Sequence, residues 1–149
     1  MRETDTGKAV QMLDLLLEFF GEDGAHWTRG RYEDGHGGRC LIGALHYLRR
    51  KHRISSEEAG YFLQEAMPQR RFPLVYFNDH RCRSFAELRS VILKARSLAL
   101  HNAERERAAA RVERWLLAEL ERERATRAAT ADNPVSDLLS PSALERIAA

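Results

Sequence analysis

The chain reads as an all-α protein: a compact bundle of about four helices with a glycine-rich loop, a short extended segment and a long, charged C-terminal helix. Three observations lead there. Apolar residues recur at three- and four-residue spacing through most of the first 100 positions. Two Ser-x-x-Glu signatures precede such runs. Between Phe85 and Asn133 the chain has neither proline nor glycine and is rich in Ala, Glu, Arg and Leu.

The first helix is expected from about Thr6 to Phe20. Met12, Leu13, Leu16, Leu17 and Phe20 follow helical spacing, and Gly21 supplies a stop. Leu15 and Phe19 widen the apolar face, which predicts packing on two sides. Residues 21–39 form a long loop holding six of the nine glycines, with a turn signal at Asp34-Gly35 and a small hairpin through Tyr32. A loop of this length inside a compact domain draws attention as a functional element.

The second helix starts near Arg39 or Cys40 and runs to about His52, with Leu41, Ala44, Leu45 and Leu48 on one face. The third opens on a Ser55/Glu58 capping box, stops before Pro68, and buries Ala59, Phe62, Leu63 and Ala66. Residues 72–79 carry a brief apolar run between Pro73 and Asn78-Asp79, read as an extended segment laid across the core. A Ser84/Glu87 box opens the last helix, with Leu88, Val91, Ile92, Ala95, Leu98 and Ala99 on its buried side. If that helix is continuous to about Ala128 it is on the order of 65 Å long. A polar stretch from His101 to Arg107 divides it, and Ala109, Val112, Trp115, Leu116 and Leu120 rebuild an apolar stripe beyond. Either this stripe meets a partner, or the chain folds back at the polar stretch. The expected organisation is a helical core over 1–100, a helical extension over 101–130, and a linker with a short helix over 131–149, capped by Ser140 with Pro141 in its first turn.

Composition narrows the function classes. No run reaches the roughly 18 apolar residues of a membrane span. The apolar N-terminal stretch is broken by Asp14 and Glu18 and lacks a small-residue cleavage site, so a cytoplasmic setting with free thiols at Cys40 and Cys82 is expected. Net charge is +2, but residues 1–24 carry 2 basic and 6 acidic side chains whereas residues 25–100 carry 14 and 7. Such a basic middle can attract phosphates, although solvated arginines explain it as simply. Helix-turn-helix reading of DNA is disfavoured, because the third helix presents Glu57, Glu58 and Glu65 and only Gln64 as an amide.

The segment Gly35–Ala44, GHGGRCLIGA, is the focus of the candidate chemistry. A cysteine in the first turn of a helix is favoured as thiolate by the dipole. Cys40 is therefore a candidate nucleophile, with His26, His36 or His80 as base and Asp79 or Asn78 as its orienting group. Cysteine is also among the most often buried residues, so packing is the competing reading. The pattern H-x3-C…H-x-C matches no standard zinc spacing, and neither a metal nor a cofactor is assigned. Glycines ahead of a helix can offer N–H groups to an anion, which makes Gly37, Gly38 and Arg39, with Trp27 and Asn78, candidate ligand contacts. No nucleotide-binding glycine motif is present.

W-x-x-G, then C-L-x-G-A-L, then an aromatic followed by N-D and a capped helix resembles a bacterial and phage domain family of unknown function. The positions are Trp27, Gly30, Cys40, Leu41, Gly43, Ala44, Leu45, Phe77, Asn78 and Asp79, within roughly residues 10–100. Family members often have tryptophan where Phe77 stands. The resemblance brings no activity. It implies a pairing of the Cys40 region with Asn78-Asp79. A glycine inside a helix costs about 1 kcal/mol against alanine, so Gly43 predicts close approach by another segment, which the extended 72–79 run would supply. The favoured function is a non-enzymatic interaction module whose C-terminal helix, through Val112, Trp115, Leu116 and Leu120, binds a second copy or another protein. The alternative is a small enzyme or ligand-binding protein with its site at Cys40.

Overall fold

The computed structural model describes residues 5–131. Five α-helices follow in order: α1 (Asp5–Phe20), α2 (Leu41–His52), α3 (Glu57–Ala66), the single turn α4 (Leu74–Tyr76) and α5 (Phe85–Ala131), with a π-helical turn over Phe77–Arg81. Among the described residues there is no strand, only isolated bridges of Arg39 with Trp27 and Glu33. The all-α reading holds. The expected terminal helix around Ser140 and Pro141 lies outside the described residues.

The chain divides into two compact units, Met1–Glu106 and Arg107–Ala149. In the first, α1 packs against both α2 and α3, as its wide apolar face predicts. Ala9, Met12, Leu13, Leu16 and Phe20 of α1 join Leu41, Ala44, Leu45 and Leu48 of α2, Ala59, Phe62, Leu63 and Ala66 of α3, and Leu88, Ile92, Ala95 and Ala99 of α5 in one core. Gly21 closes α1 in the left-handed region (φ 73°), its N–H donating to the Leu17 carbonyl at 3.0 Å. Polar ties link α1 to α5. Asp14 pairs with Arg96, and Thr6 donates to Glu106 at 2.8 Å while Asn102 donates to the same carboxylate at 3.1 Å.

Several local expectations are corrected. Residues 74–81 are helical, not extended. The Cys82 N–H donates to the Phe77 carbonyl five residues back at 2.9 Å. This wide turn directs Phe77, Asn78 and Cys82 inward together, a spacing that resembles a strand's apolar run when read locally. The Ser55/Glu58 box does not form: α3 begins one residue later, with Ser56 at its N-cap, and the Ser55 hydroxyl accepts from the Glu57 N–H at 3.3 Å. The Ser84/Glu87 box is not formed either: Glu87 accepts from the Arg83 N–H at 2.9 Å, one residue ahead of the expected cap. Leu98 is exposed, because burial follows the 88–92–95–99–103 line around the helix and Leu98 sits off it.

The second unit, over its described residues 107–131, is the remainder of α5, helical without interruption to Ala131. Val112, Trp115, Leu116, Leu117 and Leu120 are all exposed there.

Candidate functional site

The residues singled out by sequence converge where the glycine-rich loop meets the N-terminus of α2 and the π turn. Cys40 is the N-cap of α2, in extended backbone, and its Sγ accepts from the Gly43 N–H at 3.3 Å. It takes the position usually held by Ser, Thr, Asp or Asn. Cys40 is 3% exposed, and both Cys40 and Cys82 are free. No histidine hydrogen-bonds Cys40 among the described residues.

Asn78 is the hub. It is fully buried and uses both ends of its amide. Its Oδ1 accepts from the Trp27 indole N–H at 2.8 Å and from the Leu41 N–H at 3.1 Å. Its Nδ2 donates to the Thr28 carbonyl at 3.3 Å and to Asp79 at 2.7 Å. Asp79 in turn accepts from the Gly30 N–H at 2.9 Å. Two of the N–H groups that a helix start leaves without intrahelical partners are thus satisfied at α2, one by Cys40 and one by Asn78 from a distant turn. Arg29 donates to the Cys82 carbonyl at 2.7 Å and adds a second tie between loop and π turn. The pairing implied by the family resemblance is present in these bonds.

The loop is braced from within as well. The Asp34 carboxylate accepts from the His36 and Gly38 N–H groups at 2.8 and 2.9 Å, and those bonds, the one from His36 foremost, hold its pKa below the usual value. The Arg39 N–H donates to the His26 carbonyl at 2.8 Å, and its guanidinium pairs with Glu33 at 3.2 Å and lies over the Tyr47 ring. Gly43 is closely approached, as its place in a helix predicts, but by the Tyr32 carbonyl of the loop and not by residues 72–79; a Cβ at position 43 would overlap that oxygen. Trp27 is half-buried against Phe85.

His36 and His80 are exposed. His80 packs on Tyr76, and His26 lies beside Phe19. Among the described residues no group of three or more His, Cys, Asp or Glu side chains is placed to hold a metal ion. Clefts open elsewhere, one of about 620 Å³ along Arg49, Arg53, Ser55 and Ser56, and one of about 320 Å³ beside Phe72, Phe77, Arg81 and Arg83. No buried side-chain polar atom among the described residues lacks a partner. Sequence reasoning missed Arg29; it placed Tyr32 in a small hairpin and Asp34 in a turn, but not the contact of Tyr32 with Gly43 or the bracing bonds of Asp34.

Fold and junction together define an all-helical domain whose glycine-rich loop is pinned over a helix start by the buried Asn78 and its half-buried neighbour Asp79. The chain belongs to a family of unknown function, DUF6197, which matches residues 11–98. No curated protein matches the chain, and no solved structure matches it. No described helix is long and apolar enough to cross a membrane.

Proposed function

We propose that the chain is a non-enzymatic interaction module and that the distal part of α5 carries its binding face. One observation supports this above the others: Val112, Trp115, Leu116 and Leu120 are 56%, 60%, 49% and 50% exposed on one helix. Large apolar side chains grouped in this way mark surfaces that bind. The closed bonding of the Cys40 junction agrees with a bracing role for that region. Two free, buried thiols agree with a reducing, cytoplasmic setting.

The test is sedimentation of the full chain over a range of concentrations beside Leu116→Glu. The reading expects association that the variant loses while its helical content stays the same. A full chain that stays monomeric at high concentration, with Trp115 emission unchanged throughout, overturns it.

A further inference from the structure

We propose that the partner of this face is a second copy of the chain, its α5 running antiparallel and centred near residue 114. The proposal rests on the interaction-module reading above and names its partner. Arg105, Ala109, Val112, Leu116, Glu119 and Glu123 succeed one another at steps of four and three residues, so they lie along one face of α5. The face is apolar in its middle, cationic at its N-terminal end and anionic at its C-terminal end. Arg105 and Glu123 are 18 residues apart, about five full turns, and so share one angular position. Both are exposed, and neither has an ion-pair partner among the described residues.

That charge pattern selects an orientation. In a parallel, in-register pair, Arg105 would face Arg105, Glu119 would face Glu119 and Glu123 would face Glu123. Three of six layers would then set like charges together, those at Arg105 and Glu123 without any compensating pair among the described residues and that at Glu119 offset by its own Arg122 at 2.7 Å. In an antiparallel pair centred between Val112 and Leu116, Val112 meets Leu116 of the second copy, Ala109 meets Glu119, and Arg105 meets Glu123. Each of these pairings occurs twice by symmetry. All three like-charge layers disappear, and two ion pairs close the ends of the apolar patch. Trp115 lies beside the symmetry axis, where the two indoles approach each other.

The test uses the full chain with Arg105→Glu, Glu123→Arg and the double swap, by sedimentation equilibrium at low ionic strength. All substituted sites are exposed, and circular dichroism checks that helix content is retained. Each single swap should weaken self-association roughly tenfold, and the double swap should restore it. Val112→Cys chains mixed with Leu116→Cys chains should cross-link to each other in preference to their own kind. Three outcomes overturn the proposal. One is association indifferent to the charge swaps yet abolished by Leu116→Glu, which leaves the interaction module standing but removes the antiparallel register. The second is preferential cross-linking of Val112→Cys to itself, which marks a parallel pair. The third is a monomeric full chain, which removes the self-association reading as well.

Discussion

Asn78→Ala is the sharpest probe of the junction. The substitution removes an amide that satisfies the Leu41 N–H, the Trp27 indole N–H and the Thr28 carbonyl at once. A buried group left without its partner costs about 1–3 kcal/mol. The Leu41 N–H is fully buried and counts near the top of that range, whereas the Trp27 and Thr28 groups are partly accessible and count near the bottom. The sum is roughly 5 kcal/mol, against a total of about 5–15 kcal/mol for a typical domain. The assay is urea unfolding followed by Trp27 fluorescence in a Trp115→Phe background. Asn78→Asp serves as the companion. It keeps the acceptor but sets a carboxylate where Nδ2 now lies 2.7 Å from Asp79. Burial and Asp79 both raise the folded pKa of that new carboxyl. Its best relative stability therefore falls below the unfolded pKa of about 3.9 and is lost as pH rises toward neutrality. A loss under about 1 kcal/mol for Asn78→Ala, or a pH-independent deficit for Asn78→Asp, would refute the hub.

Three further outcomes follow from the same geometry. Gly43→Ala should lower stability by about 1–3 kcal/mol in thermal unfolding although alanine is the better helix former, because its Cβ meets the Tyr32 carbonyl; a neutral or stabilising effect would contradict the close approach. Cys40→Ala should cost about 1 kcal/mol through the lost cap, with Cys40→Ser retaining more of it; equal losses for the two would show that the sulfur contact at Gly43 contributes nothing. The Cys82 thiol is pushed up to about 12 by burial, with the Glu87 charge adding to it, from an ordinary value of 9.0. Its contribution is therefore complete below about pH 9 and lost as pH climbs toward 12. The alkaline fall in urea midpoint should be shallower in Cys82→Ala, and an unchanged slope would exclude Cys82 as its source.

What was legible in the sequence was what depends on periodicity. The buried stripe of α3, Ala59, Phe62, Leu63 and Ala66, could be read residue by residue because each lies on one helical face and nothing distant need be known. Cap identity was less legible. Ser55 and Ser56 are adjacent candidates, and which one stops the helix depends on how the preceding turn leaves α2, through Arg53 in the left-handed region (φ 55°). The run around Phe77 was misread because apolar side chains one and five residues apart suit a wide helical turn as well as a strand laid on a core. Gly43 shows the limit most clearly. Its place in a helix signals that something comes close, and only the tertiary fold decides that the visitor is the Tyr32 carbonyl. The nearness of Asn78 to the Cys40 region is implied by the family resemblance. The double use of Asn78 Oδ1, for an indole and for a helix start, is a three-dimensional coincidence that no local pattern encodes.

The family match and the proposed binding face divide the chain in a way that constrains both. Residues 11–98 contain the whole junction, from Trp27 through Cys40 to Asp79, and the first turns of α5. Val112, Trp115, Leu116 and Leu120 lie beyond that match. The Asn78 hub thus lies inside the matched region, and the apolar face lies outside it. The two meet in one continuous helix, whose buried side ends at Ala103. Glu106, held by Thr6 and Asn102, is the last residue tied back to α1. Three residues on, the stripe begins at Ala109. A variant that loosens the hub should therefore lower the stability of the first unit while leaving helix pairing through 109–123 intact, and Leu116→Glu should do the reverse. If Asn78→Ala instead dissociates the chain under conditions where it remains folded, the binding face draws on the core domain as well as on the helix, and the division argued here is wrong.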